Sequence, residues 1–182
     1  MARRHQSIVP LSHDHRDALA LAFRLHHPSP PGPVTVVTPP STPASRAAEV
    51  LDFFVGHLDG HFRAEEDALF PAIARHLATD DPRAALVHTL IGEHREMESM
   101  RDALAALAAS AHADETILLQ PLIAFADLLE RHIRREEREL FADFATIVPE
   151  AAASAVGARI RAILSQRPPL ACAVAAPKLP ED

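Results

Sequence analysis

Apolar residues recur along this chain at three- and four-residue steps, the spacing that lines one face of a helix. Leu11, Ala18, Leu21, Ala22 and Leu25 mark a first helix over about residues 9–25, with Ser12 as an early cap. A second, over about 44–77, carries Leu51, Phe54, Leu58, Leu69 and Phe70. Asp80 or Asp81 caps a third, over 82–109, with Pro82 at its first position and Gly92 in its interior. Leu122, Phe125, Leu129, Leu140 and Phe141 mark a fourth, over about 115–144, in which Pro121 is either a kink or the true start. Pro149-Glu150 opens a short fifth helix ending near Gln166. Residues 28–43 hold seven prolines around Val34-Thr-Val-Val and cannot be helical, so they read as a long surface connection. Residues 167–182 read as a disordered tail. Long helices with mostly short links predict an all-α, up-down-up-down four-helix bundle with a short fifth helix, one domain over residues 1–166.

Composition supports that architecture and removes several functions. The 182 residues are 48% apolar, enough for a core, with alanine and leucine prominent and only five glycines. A net charge of −7 argues against nucleic acid, which needs a basic surface. No apolar run reaches membrane-spanning length, and the basic start, Met1-Ala-Arg-Arg-His, lacks the apolar stretch of a signal peptide; a cytoplasmic protein is expected. One cysteine, Cys172, cannot build a disulfide or a thiolate metal site within the chain, and no tyrosine is present to carry a radical. Histidine, by contrast, occurs twelve times.

An internal repeat sorts those histidines. His61-Phe-Arg-Ala-Glu65-Glu66-Asp-Ala-Leu69-Phe70 and His132-Ile-Arg-Arg-Glu136-Glu137-Arg-Glu-Leu140-Phe141 share one pattern at an offset of 71, and Leu51, Phe54 and Leu58 extend it upstream to Leu122, Phe125 and Leu129. At an offset of 79, Leu11-x-x-Asp14-His15-Arg16-Asp17 matches Leu90-x-x-Glu93-His94-Arg95-Glu96. The chain is thus two helical hairpins with matched chemistry. In each second helix a histidine and a glutamate four residues apart share one face, placing an imidazole beside a carboxylate. The symmetric set is His15, His61, His94 and His132 with Glu65 and Glu136, a candidate dinuclear metal site whose carboxylates could bridge. His13 and His57 fall outside it, since their repeat partners are Gly92 and Leu128.

Competing motifs fail. No histidine follows a glutamate by three residues, as the carboxylate-rich di-iron bundles require, and none is followed directly by glutamate, as in zincins. Nitrogen and carboxylate donors without thiolate suit iron, manganese or zinc, and six ligands shared by two centres with open positions suit non-haem iron best. His57, one turn before His61, is a further candidate ligand, as is Glu98, which completes a His-x-x-x-Glu with His94. His13 reads as a surface residue or a support behind the ligands, and His5, His26, His27, His76 and His112 lie at ends or in loops without a site pattern. Glu66 and Glu137 read as solvent-facing partners of arginines, and residues 131–138 as a solvated, mixed-charge face.

These motifs together resemble the hemerythrin-like, HHE cation-binding family over about residues 10–145. The resemblance rests on Asp14-His15-Arg16, the His61-x-x-x-Glu65-Glu66-x-x-Leu69-Phe70-Pro71 stretch, Glu93-His94-Arg95 and His132-x-x-x-Glu136-Glu137. It implies a four-helix bundle holding two non-haem iron ions, oxo- or hydroxo-bridged and bridged by carboxylates, with His15, His61, Glu65, His94, His132 and Glu136 as ligands. It also implies a small partner, O2, NO or peroxide. The sequence departs from the oxygen-carrying hemerythrins: Glu98 stands where they place a second histidine in the third helix, and the fourth helix has His-x-x-x-Glu in place of a longer His-to-Asp spacing. These departures speak against reversible oxygen carriage and leave O2 or NO sensing, peroxide chemistry or iron handling; O2 or NO binding for sensing or buffering is the leading expectation. Two alternatives stand beside that reading. One is a peroxidase-like or ferroxidase-like di-iron oxidoreductase or an iron-handling role, with iron–sulfur repair disfavoured because its cysteine-containing N-terminal region is not seen. The other is a module in which metal only stabilises the bundle.

Overall fold

The computed structural model describes residues 4–27, 42–78, 80–110 and 115–168. The proline-rich connection up to residue 41, His112, Cys172 and the tail from residue 169 lie outside them. A 3-10 turn, Gln6–Ile8, leads into α1 (Val9–His26). The second long rod is α2 (Pro43–Phe53), α3 (Asp59–Ala64) and α4 (Phe70–His76), joined without a break by two π-helical turns, Phe54–Leu58 and Glu65–Leu69. The third is α5 (Pro82–Ala109). A 3-10 turn, Glu115–Leu118, starts the fourth, which is α6 (Leu119–Glu136) followed by a π turn, Glu137–Phe141. Two helices follow, α7 (Phe144–Ile147) and α8 (Glu150–Leu164). The described residues contain no strand, and the chain is an all-α bundle with a short terminal helix as expected. No helix among them is long and apolar enough to cross a membrane.

Local chemistry accounts for the boundaries. The Thr42 hydroxyl accepts from the Ser45 amide, and Pro43 occupies the first turn of α2, where no amide donor is needed. Asp81 does the same for α5 by accepting from the Arg83 amide, with Pro82 behind it. Pro121 lies in the first turn of α6, so it marks a start and not a kink. Ser12 is no cap: it sits inside α1 and bonds Arg4 and Glu137.

Sequence periodicity gives no warning of the π turns, yet they serve the fold. Four residues of α-helix overshoot a full turn by about 40°, so a stripe at four-residue steps drifts round the rod. A wider π turn rotates less per residue and takes that drift back. The turns directly after Ala64 and Glu136 therefore return Leu69 and Phe70, and Leu140 and Phe141, to the interior.

Two apolar clusters fill the bundle. One gathers Leu11, Leu69, Phe70, Ile73, Leu90, Leu140, Phe141 and Phe144 with Ala153, Ile160 and Ile163 of α8. The other gathers Leu21, Leu25, Val50, Phe54, Leu58, Phe62, Met97, Leu122, Phe125 and Leu129. Along α1 the sequence passes from Leu11 of the first to Ala18 of the second through His15; along α5 it passes from Leu90 to Met97 through His94. A polar layer thus lies between the two cores.

Candidate metal centre

That layer is the six residues of the repeat. His15, His61, Glu65, His94, His132 and Glu136 are all buried. They fall into two overlapping groups: His15, His61, Glu65 and Glu136, and Glu65, His94 and His132, the donor atoms of each lying within 4.8 Å of one another. The hairpins stay separate: α1 and α3 supply the first pair of imidazoles, α5 and α6 the second. The Nε2 atoms stand 3.1 Å apart in the His15/His61 pair and 3.2 Å apart in the His94/His132 pair. Glu65 spans the groups: Oε1 is 2.8 Å from His61 Nε2, and Oε2 is 3.2 Å from His94 Nε2. Glu136 Oε2 lies 3.2 Å from His15 Nε2 and 3.8 Å from His132 Nε2.

Four further carboxylates fix the imidazoles from outside. The Nδ1–H of His61 donates to Asp14 at 3.1 Å and that of His94 to Glu66 at 2.8 Å. The Nδ1–H of His132 donates to Glu93 at 2.9 Å and that of His15 to Glu137 at 2.8 Å. The pattern is cyclic: each of the four rods steadies the histidine of the next. With Nδ1 committed as donor, a neutral imidazole turns the lone pair of Nε2 inward. Each carboxylate is in turn held by an arginine: Asp14 by Arg167, Glu66 by Arg95, Glu93 by Arg135 and Glu137 by Arg4.

This donor set fits metal ions. Lone pairs of two Nε2 atoms facing each other at 3.1–3.2 Å repel unless a cation or proton sits between them. Two nitrogens bound side by side to one metal at about 2.1 Å stand about 3 Å apart. With each Nδ1–H donating outward and each Nε2 carrying a lone pair, all four oxygens of Glu65 and Glu136 are buried without a hydrogen-bond donor, a costly arrangement unless a proton or cation satisfies them. With the imidazoles neutral and the carboxylates ionised, as metal ligation requires, six carboxylates against the four bracing arginines leave two negative charges for cations to offset.

Without metal, the groups titrate abnormally. Burial, with the charge of Glu65 beside it, pushes Glu136 up to about 7. Glu65 goes the other way: burial opposes its ionisation, but the His61 charge and bonds from His15, His61 and His94 hold it well below the usual carboxylate range. Burial pulls His132 down to about 4. The same burial acts on His94, but its bonds to Glu65 and Glu66 outweigh it and raise that imidazole to about 9.

The two further candidates lie outside the cluster. His57 stacks flat on Phe53 at 4.6 Å, its buried Nδ1 unpaired. Glu98 pairs with Arg95 at 2.7 Å, at the outer end of the Glu66–His94 chain. Glu66 and Glu137 do pair with arginines, but they are not merely solvent-facing: each is partly buried and spends one oxygen on a histidine. Both are the second glutamate of the repeated Glu-Glu, and Asp14 and Glu93 directly precede a repeated histidine, so all four stood within the repeat. Arg131 and Arg135, expected on a solvated face, turn toward Glu93, Arg135 at 2.5 Å. A small cavity adjoins the first group, lined by His15, His61, His132, Ala18, Phe62 and Leu129, with His57 and Phe53 also in its wall; it has room for about one water-sized molecule.

The model of the hemerythrin HHE cation binding domain matches residues 2–144, and the chain belongs to that family. No curated protein and no solved structure matches the chain.

Proposed function

We propose that this member of the hemerythrin HHE cation-binding family holds two non-haem irons in the buried cluster and takes up a diatomic ligand, O2 or NO, there, for sensing or buffering. One observation carries the reading: four imidazole nitrogens and two buried carboxylates converge between the two apolar cores as two sets joined by Glu65. In this reading His15 and His61 would hold the first iron and His94 and His132 the second, with Glu65 common to both sets and Glu136 beside the first. Bound iron supplies open coordination positions and accessible redox states, which structural zinc with four closed ligands does not.

The chain's own residues do the rest. Asp14, Glu66, Glu93 and Glu137 keep each imidazole in the tautomer that presents Nε2 to a cation. Phe62 stacks on His94 at 3.9 Å and Phe141 on His15 at 5.0 Å, screening both from water. The adjoining cavity, mostly apolar and with room for about one water-sized molecule, leaves no space for a large substrate. The reading includes a cytoplasmic location and no nucleic-acid partner, in keeping with the acidic charge.

A second reading, turnover of peroxide or Fe(II), draws on His57. It is the one cavity-lining imidazole outside the cluster, and its unpaired Nδ1 could pass a proton. Anaerobic Fe(II)-loaded protein titrated with NO, with absorption and electron paramagnetic resonance as readouts, separates the cases. A saturable spectral change reversed on NO removal supports ligand binding. Multiple turnovers of peroxide lost in His57→Ala support the second reading. Iron-loaded protein whose spectrum ignores O2, NO and azide contradicts the proposal.

A further inference from the structure

The arginines that brace the four outer carboxylates break the internal symmetry. For the His94/His132 pair they come from the same helices as the histidines: Arg95 follows His94 and braces Glu66, while Arg135 lies within a turn of His132 and braces Glu93, with Arg131 nearby at 3.9 Å. At the offset of 71, Arg131 corresponds to Gly60 and Arg135 to Ala64. The first half therefore has no arginine of its own at these places. Its Asp14 is braced by Arg167, which lies beyond α8 and beyond the residues the family match covers, with Nη1 at 2.9 Å from Oδ1 and Nη2 at 2.5 Å from Oδ2.

Gly60 makes that reach fit. A Cβ there would stand 2.7 Å from Arg167 Nε and 2.8 Å from its Cγ, so the missing side chain is the space the arginine crosses. The guanidinium is well enclosed: its side chain is 16% exposed, Asp14 is 14% exposed, and Arg167 Nε is buried without a partner. Leaving a donor unpaired is costly, and a stray surface arginine has no reason to bear it. The α8 helix that delivers Arg167 is anchored in the first apolar core through Ala153, Val156, Ile160 and Ile163, and packs along α3.

We propose that Arg167 is a positioning residue for the His15/His61 metal position: lying across Gly60, it holds Asp14, and through Asp14 the ring of His61, so that this position depends on the chain beyond the four-helix bundle. The His94/His132 position carries its own arginines and does not. The proposal rests on the two-metal reading. It gives the fifth helix a role in the site and makes the two positions unequal in a way the repeated ligand motif conceals.

The test is anaerobic Fe(II) titration calorimetry on the full chain: wild type, R167A, R167Q and R135A. R167Q keeps the aliphatic stem across Gly60 and loses the charged fork, so it serves if R167A does not fold. Wild type should bind two equivalents. In R167A and R167Q one equivalent should weaken by roughly 10–100-fold while the other keeps its wild-type affinity, the range typical for loss of a group that orients a ligand. R135A should weaken the complementary equivalent. The 15N signals of the metal-free protein give a readout that mere loss of stability would not move: R167Q should shift the His61 ring nitrogens and leave those of His132 in place. Two undiminished equivalents in both Arg167 variants, or equal weakening of both with His61 signals unmoved, overturns the proposal. A wild-type isotherm with fewer than two equivalents overturns the two-metal reading itself, and this proposal with it.

Discussion

Replacing Glu136 by Gln should make the metal-free protein more stable while spoiling its metal site. Glu136 is fully buried, neither of its oxygens has a hydrogen-bond partner, and Glu65 adds a like charge beside it. Its carboxyl is therefore pushed from 4.5 up to about 7. The sign follows directly. The folded chain keeps this proton at pH values where the unfolded chain has lost it, so the favourable contribution is fully present below about 4.5 and is lost as pH rises through about 7. At ~1.4 kcal/mol per pH unit, the ionised group costs about 3 kcal/mol at pH 8. Glutamine has nearly the same shape and never ionises. Glu136→Gln should thus gain about 3 kcal/mol at pH 8 in the presence of a chelator, or roughly 6–12 °C in Tm for a chain of this size. At pH 4.5 the gain should shrink below about 0.5 kcal/mol. With Fe(II) added anaerobically the order should reverse: wild type gains about 4.1 kcal/mol at a thousandfold excess over Kd and the variant does not. Urea unfolding followed by circular dichroism measures all three conditions. A variant less stable than wild type without metal at pH 8, or a gain independent of pH, refutes the reasoning.

Metal uptake should release protons. His94, at about 9, is charged at neutral pH and must lose its proton to become a ligand, whereas His132, at about 4, is already neutral. Apparent affinity should therefore rise by about tenfold per pH unit per displaced proton between pH 6 and 9, and calorimetry in buffers of different ionisation heat should count protons released; an affinity flat across that range would contradict the assigned states. Phe62→Ala should destabilise the chain by roughly 3–5 kcal/mol, because Phe62 is 3% exposed and stacks on His94. It should also speed dissociation of NO, since Phe62 walls the cavity; unchanged unfolding midpoints would show that the ring is not packed as described.

Much of this fold was legible because its signals are local. The third helix could be bounded at residues 82 and 109 because Asp81-Pro82 is a self-contained start signal. The six-residue cluster could be read because a metal site needs several donors on facing helices, and the repeat at offsets of 71 and 79 marks which histidines face one another. The π turns were not legible: Glu65–Leu69 has the same composition as an α-helical turn, and the widening answers to core packing on both sides of the site. The inward role of Glu66 and Glu137 is hidden for a related reason. Adjacency to a ligand on one helix conceals that each reaches a histidine on the next rod. Arg167 carries no local sign at all, since its partner Asp14 is 153 residues away. Its only trace is the pair Gly60 and Ala64 standing where the second half has arginines.

Two metal positions built from the two halves of the repeat would show in the iron content of anaerobically Fe(II)-loaded, desalted protein, compared among wild type, His61→Ala and His132→Ala. Two irons per chain in wild type and a loss in each variant, with near-ultraviolet absorption after air is admitted that both variants lack, is the predicted result. One zinc per chain, or no metal retained by any of the three, would mean that the two halves do not each hold an iron.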